Sequence, residues 1–294
     1  MSLSQLLSKR AKIIDLSESR FSKVMKNTSE SYADLAIKLL SRYSRRKELV
    51  SPDITDLALL GELRGQLVKI FERNEYKSGV SAYLNSFDTV ENVSVEILED
   101  WSKVPAKKLK LTAEKKIAID NISRRLLNPF EVETNFVLPV QNMMYRAITF
   151  GATYQETEAA LLEIIVGNST KAGFMERYAT QITRDALNQY SGTVNQKAVK
   201  EFEMDSFRYV GSLIEDSRKT CVDLVNGSGA LADLSQGRNS YKVEDIDKII
   251  KLCENNPGWI AGTTEATFFI NRGGYNCRHD AIPFVGLPNE EEEN

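Results

Sequence analysis

The chain has 294 residues, 42% hydrophobic and 27% charged, a globular composition long enough for a sizeable core and about two domains, which excludes a disordered scaffold. No apolar run approaches the roughly 20 residues that cross a bilayer, and the N-terminus lacks the apolar core of a secretory leader, so a cytoplasmic origin without a membrane partner is expected. Three widely spaced cysteines do not make a secreted disulfide framework, and the net charge of −3 conceals two basic segments: residues 1–50 carry 11 Lys and Arg against 5 Asp and Glu, and residues 101–128 carry 8 against 2.

The first half reads as helix after helix. Ser2 is placed to cap a helix whose apolar positions are Leu3, Leu6, Leu7, Ile13 and Ile14. A second helix is expected from Tyr32 to Lys47, with Arg42, Arg45, Arg46 and Lys47 at its C-terminal end, where cations suit the dipole. Ser51, Pro52 and Asp53 signal a third start, whose stripe continues to about Glu75 before Lys77, Ser78 and Gly79 are expected to break it. Shorter helices follow near 80–87 and 90–103. Pro105 opens a basic connector containing Lys107 and Lys108, and Thr112 caps a helix through Leu127, with Ile117, Ile122 and Leu126 inward and Asn128-Pro129 as its stop.

Residues 136–150 form an apolar run interrupted by Pro139, expected as a kinked or late-starting helix buried nearly all round. Thr153 and Glu156 make a capping-box pattern for a helix that Gly167 ends. A long helix from about Thr170 to Glu203 is expected to break at Ser191-Gly192. Beyond it the period changes. Residues 207–214 favour a strand, 221–225 a short helix, and 227–240 a polar loop, whereas Ile246, Ile249, Ile250 and Cys253 share one helical face. The run Thr267 to Ile270 reads as a strand leading through a hairpin turn at Asn271–Gly274 into a strand from Tyr275 to Phe284. The expected fold class is mainly α: an N-terminal helical region (1–110, partly basic), a helical segment (111–204), a small α+β module (205–286) and an acidic tail (287–294), with the boundary between the halves somewhere in 104–130.

The scarcest reactive side chains gather in that module. His279, the only histidine, stands two residues after Cys277, and Cys221 follows Asp216 and Arg218. On a strand, Cys277 and His279 would share one face and Arg278 would turn to the other. Asp216-x-Arg218-x-x-Cys221, then an insert, then Gly273-Gly274-Tyr275-x-Cys277-Arg278-His279 and Pro283 resembles the C-terminal domain of the phage Mu F-like head-morphogenesis (minor head) proteins, over roughly the last third of the chain. The resemblance implies a virion structural protein, associated with the portal and other head proteins, acting in capsid assembly and in genome delivery.

Three chemistries remain open for the cysteines. Cys221, Cys277 and His279, with Cys253 or Asp216 as a fourth donor, form a weak zinc set, since paired Cys-x-x-Cys spacing is lacking; Cys221 and Cys277 are alternatively a disulfide or reduced structural thiols. A catalytic reading takes Cys277 or Cys221 as nucleophile, His279 as base and Asp216 as orienter, although no catalytic residue or resident cofactor is expected. Arg218 and Arg278 flank the cysteines, and a bidentate pair between Asp216 and an arginine would join the two halves of the motif. Arg45, Arg46, Lys107 and Lys108 are the candidates for nonspecific, salt-sensitive contact with DNA or for a partner surface. A DNA-binding virion protein, or a cysteine-dependent enzyme or toxin bearing the same module, are the alternatives to the minor head reading.

Overall fold

The computed structural model describes residues 1–43, 61, 64–150, 152–237, 239–275 and 277–286. Arg45, Arg46, the helix start expected at Ser51 and the acidic tail lie outside them. The described residues are mainly helical with a small three-stranded antiparallel sheet, the mainly α architecture with an α+β module that the periodicities of the sequence predict. Among the described residues the helices are, in chain order, α1 (Leu3–Tyr43), α2 (Asn74–Leu84), α3 (Ser86–Asp100), α4 (Thr112–Leu127), α5 (Pro129–Val132), α6 (Leu138–Phe150), α7 (Tyr154–Ile165) and α8 (Phe174–Glu201), and residues 64–68 are helical as well. The module then alternates β1 (Ser206–Val210), α9 (Lys219–Asn226), β2 (Ser240–Lys242), α10 (Ile246–Cys253), α11 (Phe268–Asn271) and β3 (Asp280–Phe284).

Two compact units interleave along the chain: residues 1–16, 86–118 and 184–294 make one, and residues 17–85 and 119–183 the other. Each unit is made of separate stretches of chain, because α1, α4 and α8 each supply residues to both.

In the first unit the sheet order is β2-β1-β3, and β1 pairs antiparallel with both neighbours, Phe207 opposite Tyr241 on one side and Pro283 on the other. Pro283 has no N–H to donate, and β3 is an edge strand, where that is tolerated. Leu6, Val93, Ile97 and Ile282 form a core that joins α1, α3 and β3. Tyr190 on α8 donates to Glu91, and Lys115 holds Asp88 at 2.7 Å and Glu91 at 3.2 Å.

The second unit is built on aromatic rings. Phe71 stacks on Phe136 at 5.1 Å and meets Tyr76 and Tyr32 edge-on. Their hydroxyls are satisfied by the chain itself, Tyr32 donating to the Phe136 carbonyl and Tyr76 to that of Leu126, both at 2.9 Å. The capping box at Thr153 and Glu156 forms as its spacing predicts, and Gly167 leaves α7 with φ of +91°.

Several expected breaks are not breaks. α1 is a single 41-residue helix rather than two, because its serine- and threonine-rich middle still buries Ile14, Phe21, Met25 and Tyr32 at seven- and four-residue steps, and Thr28 bonds back to the Val24 carbonyl at 2.8 Å. Gly79 lies inside α2, where a Cβ would come within 2.6 Å of Val24, so its smallness serves packing. Gly192 lies inside an unbroken α8, and a Cβ there would meet the Phe269 carbonyl oxygen at 2.1 Å. Asn128 does end α4, yet its side chain caps α5, with Pro129 in the first turn. The run through Pro139 continues as helix from a π turn at Glu133–Val137 into α6, and it is not buried all round: Tyr145 is 50% exposed and Phe150 83%. Ile117, expected inward, is 62% exposed.

The strand expected at Thr267–Ile270 is the short helix α11. Phe268 and Phe269 both pack on Phe207, with ring centroids 5.3 and 5.4 Å away, whereas a strand would send neighbouring side chains to opposite faces. The turn is set locally: the Thr264 N–H donates to the Thr267 hydroxyl at 2.9 Å, and Asn271 N–H to the Thr267 carbonyl. Among the described residues of 275–284 only Asp280–Phe284 is strand, because the ladder to β1 ends at Val210 opposite Asp280. The expected hairpin at 271–274 is instead the exit from α11.

Candidate functional site

Period-two alternation on β1 puts Phe207 and Tyr209 on one face, both fully buried. Phe207 supports α11, and Tyr209 points its hydroxyl at two sulfurs, 3.8 Å from Cys221 and 3.5 Å from Cys277. Cys221 sits in the first turn of α9, on the same buried side as Leu224. Cys277 and His279 come from the connection between α11 and β3, shaped by Arg272 at φ +43° and Gly274 at φ +98°.

These elements bring three donors together. The two sulfurs are 3.8 Å apart, and His279 Nδ1 is 3.7 Å from Cys277 Sγ. All three ligand atoms lie within 4.8 Å of one another, and all three residues are buried. The His279 ring stacks on that of Tyr209 at 5.8 Å. Its other nitrogen, Nε2, is buried and has no hydrogen-bond partner among the described residues, so whatever Nδ1 faces selects the tautomer. Gly273 backs the cluster: a Cβ there would lie 2.5 Å from Cys221 Sγ, 2.7 Å from the Tyr209 hydroxyl and 2.9 Å from Cys277 Sγ.

The hydrogen bond from the Cys221 thiol draws Cys277 well below the ordinary thiol range against the effect of burial, with His279 and Tyr209 acting the same way, while that bond and burial push Cys221 up. Burial raises Tyr209 well above the ordinary phenol value, and the two cysteines add to it, so its hydroxyl stays protonated and donates.

Two charged clamps hold the geometry. Arg218 at the start of α9 donates to the Gly273 carbonyl at 2.9 Å and to that of Tyr275. Asp280, next to His279, pairs with both Arg10 of α1 and Arg272, and Arg272 also donates to the His279 carbonyl at 2.9 Å and to Ser191 Oγ at 2.9 Å. Burial alone would raise the Asp280 carboxyl, but the two guanidinium groups outweigh it and hold it below the usual carboxylate range. Cys221, Cys277 and His279 line an open cleft of about 1120 Å³, whose wall includes Arg10, Arg184, Arg208, Arg218 and Arg278 against Asp15, Asp216 and Asp280.

The structure assembles most of the sequence motif and corrects parts of its reading. Cys277 and His279 reach the same cluster from irregular chain rather than a strand. The arginine that joins the halves bonds carbonyls rather than Asp216, because the loop carbonyls present themselves to its fork while Asp216 is exposed. Gly274 has the positive φ of a turn; Gly273 is required by its neighbours instead. Tyr275 is 49% exposed and Arg278 faces the cleft. Cys253 stays with Ile246, Ile249 and Ile250 on the apolar face of α10, its thiol pushed up to about 11 by burial, and neither it nor Asp216 joins the cluster. Asp216, expected to orient the histidine, does not bond it: Nε2 of His279 has no partner among the described residues. Lys107 and Lys108 are exposed on a 3-10 turn, Lys107 lying 2.8 Å from Glu99. Tyr209, Arg272, Asp280 and Arg10 escaped sequence reasoning. Asp280 beside the lone histidine was a usable signal, but nothing local pointed to Arg10.

No helix among the described residues is long and apolar enough to cross a membrane. Compared with protein-family models, characterised proteins and solved structures, the chain matches none.

Proposed function

We propose that the protein is a minor head protein of a phage particle, bound near the portal and acting in head assembly. The observation that supports this reading is the motif itself. Its two halves, 216–221 and 273–283, resemble the phage Mu F-like pattern in sequence, and Arg218 closes one onto the other across 55 residues by its bond to Gly273. The resemblance thus falls on a folded unit rather than on scattered identities. In this role the first unit carries the compact module, and the helices of the second offer surface for neighbouring head proteins. Exposed Lys107 and Lys108 are available for nonspecific contact with packaged DNA, weakened by added salt.

The test is mass spectrometry of intact purified virions together with co-purification of the chain with the portal protein of the same phage. A few copies per particle and a stable portal complex are the expected results. Absence from both particles and portal complexes would overturn the proposal.

A further inference from the structure

The geometry points to a transition-metal site of the zinc class, with Cys221 Sγ, Cys277 Sγ and His279 Nδ1 as ligands and a fourth position open to the cleft. It stands on side chains of one compact unit and does not rest on the virion reading.

Distances make the first argument. A tetrahedral zinc ion with bonds of about 2.3 Å to sulfur and about 2.0 Å to nitrogen places two ligand sulfurs about 3.8 Å apart, and sulfur and nitrogen about 3.5 Å apart. The observed separations are 3.8 and 3.7 Å. Hydrogen-bonded thiols also reach such distances, so the surroundings must decide. Two thiols and an imidazole converge at one buried point, with glycine backbone at their rear where a Cβ would lie 2.5 Å from one sulfur. Tyr209 places its hydroxyl 3.8 and 3.5 Å from the two sulfurs, the position of an outer donor to metal-bound thiolates. Two sulfurs and an imidazole select a borderline or soft ion over magnesium or calcium.

The open position follows from where the cleft lies. All three ligand residues line it and Tyr209 does not, so the side left for a fourth ligand faces solvent-filled space. Sites with three protein ligands keep that position for water or substrate, whereas structural zinc sites are closed by a fourth side chain. Five arginines against three aspartates in the wall favour an anionic occupant. Loading displaces the remaining thiol protons to solvent, so affinity rises with pH.

The experiment uses the full chain, untagged, purified under reducing conditions. Elemental analysis should find about one zinc per chain, and cobalt(II) added to chelator-stripped protein should give a thiolate-to-cobalt charge-transfer band with intense tetrahedral visible bands. Azide should shift those visible bands. Cys277→Ser and His279→Ala should each lower cobalt affinity by more than about 100-fold, and Tyr209→Phe by about 10-fold to 100-fold, with Cys253→Ser unchanged. Wild-type protein with all thiols reduced, no bound zinc and no charge-transfer band would overturn the site whether or not the variants fold. Undiminished affinity in Cys277→Ser would do the same, and visible bands indifferent to azide would overturn the open position.

Discussion

Arg218 donates to the carbonyl oxygen of Gly273 at 2.9 Å, fastening the first turn of α9 to the loop that delivers Cys277 and His279. A second bond from the same guanidinium reaches the Tyr275 carbonyl. Two carbonyls held by one planar fork is a geometry that a lysine ammonium cannot reproduce. Arg218→Lys is therefore expected to lower unfolding stability by about 1–3 kcal/mol in urea titration, with Arg218→Ala at the upper end. A midpoint equal to wild type would show that the clamp is incidental to the fold.

Gly192 offers a contest between two effects of known size. Alanine in a helix interior gains about 1 kcal/mol over glycine, but a Cβ at 192 would lie 2.1 Å from a backbone oxygen of Phe269. Backbone cannot rotate aside as a side chain can, so the clash should win by about 1–3 kcal/mol. Gly65, exposed and helical with nothing within 4 Å of its Cβ position, is the matched control. Gly65→Ala should be neutral or stabilising by up to about 1 kcal/mol in the same thermal melts. A stable Gly192→Ala would remove the packing explanation for the unbroken α8.

Asp280 balances two buried guanidinium groups, with side-chain exposures of 2% for Arg10 and 3% for Arg272. Asp280→Asn leaves both charges in place with their carboxylate gone, a change that costs about 3–5 kcal/mol at buried pairs. Replacing Arg10 by methionine in that background should recover part of the loss, since fewer buried charges then remain. Denaturant unfolding of the single and double variants checks both, and a single variant within about 1 kcal/mol of wild type would contradict the assignment.

The start of α7 carries the pH-dependent element whose sign is clearest. Glu156 accepts from the Thr153 N–H at 2.9 Å and from its hydroxyl at 2.8 Å, and these bonds hold its carboxyl below the ordinary glutamate value. A lowered folded-state value means that the contribution is present above the unfolded value and is lost as pH falls through the folded one. Thr153→Ala removes the cap and should cost about 1 kcal/mol at neutral pH. The gap between wild type and variant should narrow on acidification; a gap independent of pH would separate the cap from the Glu156 charge.

How far sequence reasoning reached can be followed through particular residues. Thr153 with Glu156, the face of Ile246, Ile249, Ile250 and Cys253, and the strand character of Phe207 were legible, since each is set by neighbours within about one turn or by simple alternation. The glycines misled. At 79 and 192 they look like helix breaks, but they are sites of close approach to Val24 and to Phe269, residues far away in the chain. Propensity misled as well at Thr267–Ile270, where the joint packing of Phe268 and Phe269 on Phe207 overrode β-favouring side chains.

By itself the sequence determined the helical character, particular helix ends such as Thr112, Leu127 and the Thr153 cap, the α+β nature of the last third and the concentration of Cys221, Cys277 and His279 in that region. Those follow from periodicity, capping and composition, which act over a few residues. Tertiary structure alone decided that Arg218 grips the Gly273 loop, that Tyr209 aims at both sulfurs, that Cys253 stands apart, and that Arg10 from the first helix helps to neutralise Asp280. The physical reason is range. A hydrogen bond or ion pair across tens or hundreds of residues leaves no local period, and it exists only once burial has brought its partners to one place and made an unpaired group costly.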